Sequence, residues 1–174
     1  LPLDKLGAGC PQSRSRKYQN DKLPKLLSYF LLCGTIIPIS MYVNKFDHDR
    51  SLMIEEQMIA RGIKDAAVLR AMSVVAREKL LPKDLADQAY YAQPLPIGKG
   101  QTISQPYIVA LMSQALHFKS EDKVLEVGTG CGYQTAIAAE IVSEVYSLEI
   151  IPELYRQARK NLLKTLGYTN VHLR

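Results

Sequence analysis

The chain has 174 residues, of which 47% are hydrophobic and 22% charged, a balance typical of an ordinary soluble domain with one buried core. Its formal net charge of +5 comes mainly from residues 1–52, which hold 8 Lys and Arg against 4 Asp and Glu, whereas residues 53–174 hold 14 against 13. The nearly neutral main region argues against nucleic-acid binding, because that function needs a basic face.

The N-terminal residues 1–51 are predicted to be an extension, separate from a domain over residues 52–174. Residues 26–43 form an apolar stretch that reaches the lower end of a membrane span but is interrupted by Gly34 and Pro38. One interpretation is a signal-like or anchoring segment, which would export or anchor the domain. The other is a non-native or disordered extension, and we favour it because short interrupted apolar runs are ambiguous.

Two short helices are predicted next by apolar residues at helical spacing: Ile54, Met58 and Ile59 in the first, and Val68, Leu69, Met72 and Val75 in the second. Asp65 is placed to cap the second helix, and Pro82 lies beyond its end.

A stiff, turn-rich segment over residues 94–100 then leads through residues 101–105 into an apolar helix that ends near Leu116. Pro106 suits an early helical position, so residues 102–105 precede the helix N-terminus, where unpaired N–H groups favour an anion. Capping is the commoner role of a serine placed there. From these residues alone we favour a cap for Ser104.

The most informative stretch is residues 124–133, where an apolar run enters three glycines at alternate positions, namely Gly128, Gly130 and Gly132. With Glu126 the pattern is E-x-G-x-G-x-G, followed by a helix that opens near Gln134. The dinucleotide fingerprint G-x-G-x-x-G would need glycine where Tyr133 stands. The spacing therefore indicates a different nucleoside-bearing cofactor, and an ordinary tight strand-to-helix connection is the alternative.

A second buried strand over residues 145–150 carries Glu149, which lies 21 residues beyond Gly128. An acid about 20 residues after such a loop binds ribose hydroxyls in nucleotide-binding βαβ units, because a carboxylate offers two acceptor oxygens. We favour this role for Glu149 over that of a solvated acid at a strand end.

The remaining pattern predicts a crossover helix from Pro152 to Leu166, with Gly167 behind it, and a third strand from Val171. The resulting βαβαβ order is the first half of a doubly wound, mainly parallel sheet of the α/β class. A sheet of this type normally continues, so we expect either that the chain is a truncated part of a longer protein or that something else completes the sheet.

Cysteines and histidines indicate neither a disulfide framework nor a metal site. The odd number of scattered cysteines fits a reducing compartment, and the histidines lack metal-ligand spacing. These residues are Cys10, Cys33, Cys131, His48, His117 and His172.

Four segments, in order and in spacing, resemble the protein-L-isoaspartate O-methyltransferase family: residues 53–63, 77–82, 94–107 and 124–133. Residues 124–133 are similar to motif I of many S-adenosylmethionine-dependent methyltransferases, whereas residues 100–107 resemble this one family. The resemblance covers about residues 52–174 and implies a Rossmann-like methyltransferase fold. Residues 1–51 resemble nothing that we recognise.

The resemblance implies methylation of the α-carboxylate of L-isoaspartyl residues in damaged proteins and peptides, with S-adenosyl-L-methionine as the cofactor. It implies that Ser104 is the active-site residue and that the cofactor is bound by Thr102, Ile103, Glu126, Gly128, Gly130, Gly132 and Glu149. A cytoplasmic monomer without metal or nucleic acid is expected.

An acceptor carboxylate is already ionised at neutral pH, so it needs no strong general base, and Ser104 suits an orienting role better than nucleophilic attack. Two alternatives remain open. A methyltransferase for a different acceptor would not require residues 101–107, and a catalytically incomplete fragment would lack the later strands of the sheet.

Overall fold

The computed structural model describes residues 44–174, and the apolar stretch over residues 26–43 lies outside them. The described part opens with helix α1, Lys45–Leu52, which continues into a π-helical segment, Met53–Met58, and a 3-10 turn, Ile59–Arg61. The helix predicted around Ile54 is thus confirmed, and it belongs to a longer helical segment than the apolar spacing indicated. No helix among residues 44–174 is long and apolar enough to cross a membrane.

Helix α2, Ala66–Val74, confirms the second predicted helix and its cap. The Asp65 carboxylate accepts hydrogen bonds from the backbone N–H groups of Ala67 at 2.8 Å and Val68 at 3.1 Å. These bonds satisfy two of the N–H groups that have no partner inside the helix. Two 3-10 segments follow, Arg77–Leu80 and Lys83–Gln88.

Strands β1, Leu95–Gly98, and β2, Gln101–Ile103, form an antiparallel hairpin where the sequence predicted only a turn-rich segment. Lys99, at the hairpin tip, has a left-handed φ of 54°. The hairpin leads directly into helix α3, Pro106–Ala115, in which Pro106 takes an early helical position as predicted. The hairpin therefore holds residues 101–105 against the start of α3.

The predicted βαβαβ unit is confirmed. Parallel strands β3, Lys123–Val127, β4, Glu144–Leu148, and β5, Val171–Leu173, lie in the order β3-β4-β5. Helix α4, Tyr133–Ala139, connects β3 to β4, and helix α5, Pro152–Arg159, with its π-helical continuation Lys160–Thr165, connects β4 to β5. The core between the sheet and its helices contains fully buried side chains from β4 (Val145), α4 (Ile137), α5 (Leu154) and its π-helical continuation (Leu162).

The connection from β3 to α4 depends on glycine at position 132. Gly132 caps the N-terminus of α4 with a φ of 94°, in the left-handed region that side chains disfavour. A Cβ at this position would lie 2.8 Å from Cγ and from Cδ1 of the buried Leu162. The loop and the crossover helix can pack this closely only because residue 132 has no side chain.

We predict that Gly132→Ala destabilises the fold more than Gly167→Ala. Both substitutions place a side chain in the left-handed region, at a cost of about 1–2 kcal/mol. Only Gly132→Ala also forces a methyl group into Leu162, which adds about 1–3 kcal/mol, because nothing lies within 4 Å of a Cβ at Gly167. Urea unfolding of both variants measures the difference, and equal losses would contradict the packing argument.

Candidate active site

A cavity of about 80 Å³ lies where the glycine loop meets the end of the hairpin and the start of α3. It is lined by six of the eight predicted site residues: Thr102, Ile103, Ser104, Glu126, Gly128 and Gly130. The two segments singled out in the sequence therefore meet at one place. The lining also contains five residues that sequence reasoning missed: Val109, Thr129, Cys131, Tyr133 and Gln134. Tyr133 and Gln134 directly follow the glycine loop in sequence, and this position could have identified them as lining residues.

Gly132 and Glu149, the other two predicted residues, do not line this cavity but shape its loop. Gly132 starts α4, whereas Glu149 follows the end of β4. One carboxylate oxygen of Glu149 accepts the Gly130 N–H at 2.7 Å, and the other accepts the Ile151 N–H at 2.9 Å. Glu149 thus ties the glycine loop to the end of β4, a structural role that the spacing rule did not predict. Each carboxylate oxygen retains acceptor capacity for a ligand hydroxyl.

Glu126 lies on β3, half-buried in the wall of the cavity. Its Oε2 accepts hydrogen bonds from the hydroxyls of Thr135 and Ser147, each at 2.5 Å, and Ser147 also hydrogen-bonds Thr129 at 2.6 Å. The parallel register explains the contact with Ser147, because Glu126 and Ser147 are direct neighbours on β3 and β4. Burial raises the pKa of Glu126, and the two hydroxyl donors oppose that shift.

Within residues 44–174, no Lys, Arg or His forms an ion pair with Glu126. Among the described residues, its negative charge therefore has only neutral hydroxyls as side-chain partners. A carboxylate in that state attracts a cationic ligand group, because an opposite charge favours the ionised form.

Ser104 lines the same cavity from the segment between the hairpin and α3, and it is exposed. The interpretation of Ser104 as a helix cap is wrong: Gln105 is the N-cap residue of α3, and no side chain caps that helix. Among the described residues the Ser104 hydroxyl has no hydrogen-bond partner, so it is free to donate to a ligand. Its backbone carbonyl, in contrast, accepts a hydrogen bond from Nη2 of Arg77 at 2.8 Å.

Cys131 is buried in the glycine loop and does not provide a reactive thiolate. Burial raises the pKa of its thiol to about 11, so the thiol stays protonated at neutral pH. Over residues 44–174 there is also no group of three or more His, Cys, Asp or Glu side chains that could hold a metal ion. The chemistry of the cavity therefore lies with its hydroxyls, its backbone groups and the charge of Glu126.

A family model described as protein-L-isoaspartate(D-aspartate) O-methyltransferase matches residues 48–174. A protein of a Picosynechococcus strain, named protein-L-isoaspartate O-methyltransferase, is 56% identical over 123 residues, which are 71% of this chain and 55% of that protein. A protein of the same name from Opitutus terrae is 50% identical over 149 residues, 86% of this chain and 63% of that protein. The chain thus spans somewhat more than half the length of these relatives.

Solved structures agree with the sequence matches. A structure of a protein-L-isoaspartate O-methyltransferase is 25% identical to this chain, with a TM-score of 0.63. The match covers 72% of this chain and 41% of the other. A Plasmodium falciparum structure, described as a protein of this kind in complex with S-adenosyl-L-homocysteine, is 28% identical with a TM-score of 0.60. This match covers 72% of this chain and 62% of the Plasmodium chain. The α/β methyltransferase fold expected from the sequence is confirmed.

We predict that Glu126→Gln makes the protein more stable than the wild type at neutral pH, and that the difference disappears in acid. The folded pKa of Glu126 lies above its ordinary value of 4.5, so folding favours the protonated form. As pH rises from about 4.5 through the folded pKa, the unfolded chain releases this proton first, and the wild type loses stability. Glutamine keeps a carbonyl oxygen for the two hydroxyls and has no proton to release.

Thermal unfolding of the wild type and Glu126→Gln between pH 4 and pH 8 measures this effect. Glu55→Gln, at an exposed position of the π-helical segment, is the matched control and should follow the wild type. A stability difference that does not change with pH would show that burial does not penalise the Glu126 charge.

Proposed function

Because the chain belongs to the protein-L-isoaspartate(D-aspartate) O-methyltransferase family, we propose that its protein methylates the α-carboxylate of L-isoaspartyl residues. The methyl donor is S-adenosyl-L-methionine, and the acceptors are damaged proteins and peptides. One observation carries the proposal: Ser104, whose hydroxyl has no partner among the described residues, lines one cavity with the glycine loop and with Glu126, which has no ion-pair partner there. We assign residues 52–174 to the methyltransferase domain and residues 1–51 to an N-terminal extension.

The cofactor fits the residues that are present. S-adenosylmethionine is cationic, and Glu126 is a desolvated carboxylate with no cation beside it in the described part of the chain. Gly128 and Gly130 have left-handed φ values of 95° and 58°. Nothing lies within 4 Å of a Cβ built at Gly128, so the loop backbone there is open to a ligand. Thr102 and Ile103 line the same cavity, and Glu149 would accept the ribose hydroxyls. When bound, this cofactor supplies an electrophilic methyl group.

The chain's own contribution is to orient the acceptor. The acceptor carboxylate is ionised at neutral pH and attacks without a general base. We propose that the Ser104 hydroxyl donates to one carboxylate oxygen, so that the other oxygen faces the methyl group.

A methyltransferase for a different acceptor is the second candidate. It would need the cofactor residues Glu126 and Glu149 but not the free hydroxyl of Ser104.

For the first candidate, we propose a cytoplasmic monomer that acts on isoaspartyl proteins and does not bind nucleic acid. The chain spans 55% and 63% of the length of two relatives. An assay of the chain itself tests whether this part is active alone.

We predict that Ser104→Ala lowers kcat/KM for an isoaspartyl peptide by about 100-fold, because the acceptor loses its orienting donor. Transfer of a labelled methyl group is measured for an isoaspartyl peptide and its normal aspartyl twin. Ser73→Ala is the matched control, because the Ser73 hydroxyl, on the surface of α2, donates only to the backbone carbonyl of Arg70. Turnover that is equal in both serine variants would favour the different-acceptor candidate. A wild-type chain that binds cofactor without turnover is an incomplete enzyme.

We further predict that Glu149→Ala weakens binding of S-adenosyl-L-homocysteine by at least about tenfold. The variant loses the acceptor for the ribose hydroxyls and releases the Gly130 N–H from its hydrogen bond. Titration calorimetry measures the Kd without requiring turnover. Glu153→Ala, which removes an exposed carboxylate that pairs with Lys99 at 2.7 Å, is the control. Equal affinities in the two variants would rule out a cofactor role for Glu149.

A further inference from the structure

Arg77 is the largest fully buried side chain of the described region, with 0% of its surface exposed. Its Nε donates to the Ala89 carbonyl at 2.6 Å, and its Nη2 donates to the Ser104 carbonyl at 2.8 Å. Its Nη1 is buried without a hydrogen-bond partner. The guanidinium also lies over the ring of Tyr133, with 4.6 Å between Cζ and the ring centroid.

No carboxylate among residues 44–174 neutralises this charge. Arg50 provides the contrast: its guanidinium lies 3.2 Å from the Asp47 carboxylate and 3.6 Å from that of Glu78. Arg77 has only neutral groups around it, and burial lowers its pKa. A buried charge without a counter-charge is costly, and such groups are normally paired. The unpaired guanidinium therefore calls for a functional explanation.

Arg77 contacts both halves of the candidate active site. Ser104 belongs to the acceptor side, and Tyr133 is the first residue of α4 after the glycine loop; both line the cavity. Glu126 lies on the cofactor side. Both charges reach the glycine loop: burial chiefly raises the pKa of Cys131, the charge of Arg77 opposes that shift, and the charge of Glu126 adds to it. Among the described residues, one charge without an ion-pair partner thus lies in the cavity wall, at Glu126, and one of opposite sign lies behind the wall, at Arg77, in contact with Ser104 and Tyr133.

We propose that Arg77 is a positioning residue for the acceptor: it fixes Ser104 through its carbonyl, and its unneutralised charge selects an anionic acceptor group. This inference rests on the proposed function, since the acceptor there is a carboxylate. The counter-charge that the described chain lacks is supplied by the bound substrate. Arg77 itself does not line the cavity, so it acts through Ser104 and through its field.

The experiment separates this charge effect from a merely structural role. Two peptides are compared that differ only at the isoaspartyl residue, one with the free α-carboxylate and one with the neutral α-carboxamide. Their Kd values are measured by calorimetry in the presence of saturating S-adenosyl-L-homocysteine, so no turnover is needed. The proteins compared are the wild type, Arg77→Gln and Arg50→Gln. The last is the control, because Arg50 is an arginine that is paired with carboxylates.

We expect the wild type and Arg50→Gln to prefer the carboxylate peptide, and Arg77→Gln to lose about tenfold or more of that preference. A purely structural role would weaken both peptides equally and leave the preference intact, and that result would overturn the inference. If the wild type itself shows no preference, the proposed acceptor is wrong and the inference fails with it.

A second variant keeps the test decisive if Arg77→Gln does not fold. Arg77→Lys retains the positive charge but cannot bind both carbonyls with one planar group. We expect it to retain most of the preference while binding both peptides more weakly. Loss of the preference in Arg77→Lys, with cofactor affinity and thermal unfolding close to those of the wild type, would overturn the charge argument.

Discussion

The buried guanidinium of Arg77 is the contact on which the geometry of the site depends. It binds the carbonyl of Ala89, twelve residues along the chain, and that of Ser104, twenty-seven residues along. It also packs on Tyr133, at the start of α4. Three segments that are far apart in sequence are thereby held together by one planar group. This contact fixes the backbone at Ser104, directly before the N-cap residue of α3.

The second constraint is the carboxylate of Glu149, which holds the glycine loop from the other side. Its bonds to the N–H groups of Gly130 and Ile151 fix the loop before any ligand binds. A loop that is already ordered loses little conformational freedom on binding, so more of the contact energy contributes to affinity. Arg77 and Glu149 therefore fix the two segments that meet at the cavity, the backbone at Ser104 and the glycine loop.

Much of this arrangement could be predicted, because its causes are local in sequence. The glycine spacing and the apolar runs predicted the βαβαβ unit, and Asp65 predicted the start of α2. The hairpin of β1 and β2 was missed because Pro94 and Pro96 indicated turns. The cap assigned to Ser104 was wrong because Gln105, one residue later, is the N-cap residue of α3. The contact of Arg77 with the Ser104 carbonyl and the pairing of Glu126 with Ser147 join residues 27 and 21 positions apart, and such distant contacts leave no local pattern.

The charges at and near the cavity also bear on the release of the products. The proposed donor is a cation and the proposed acceptor an anion, so each would be attracted by the unpaired charge of opposite sign at Glu126 or Arg77. Methyl transfer neutralises both ligands, because the donor loses its sulfonium charge and the acceptor becomes a neutral ester. Each product then lacks the attraction that held its precursor. In a half-buried cavity, where charge interactions exceed those in water, this loss weakens product binding relative to substrate binding and favours release.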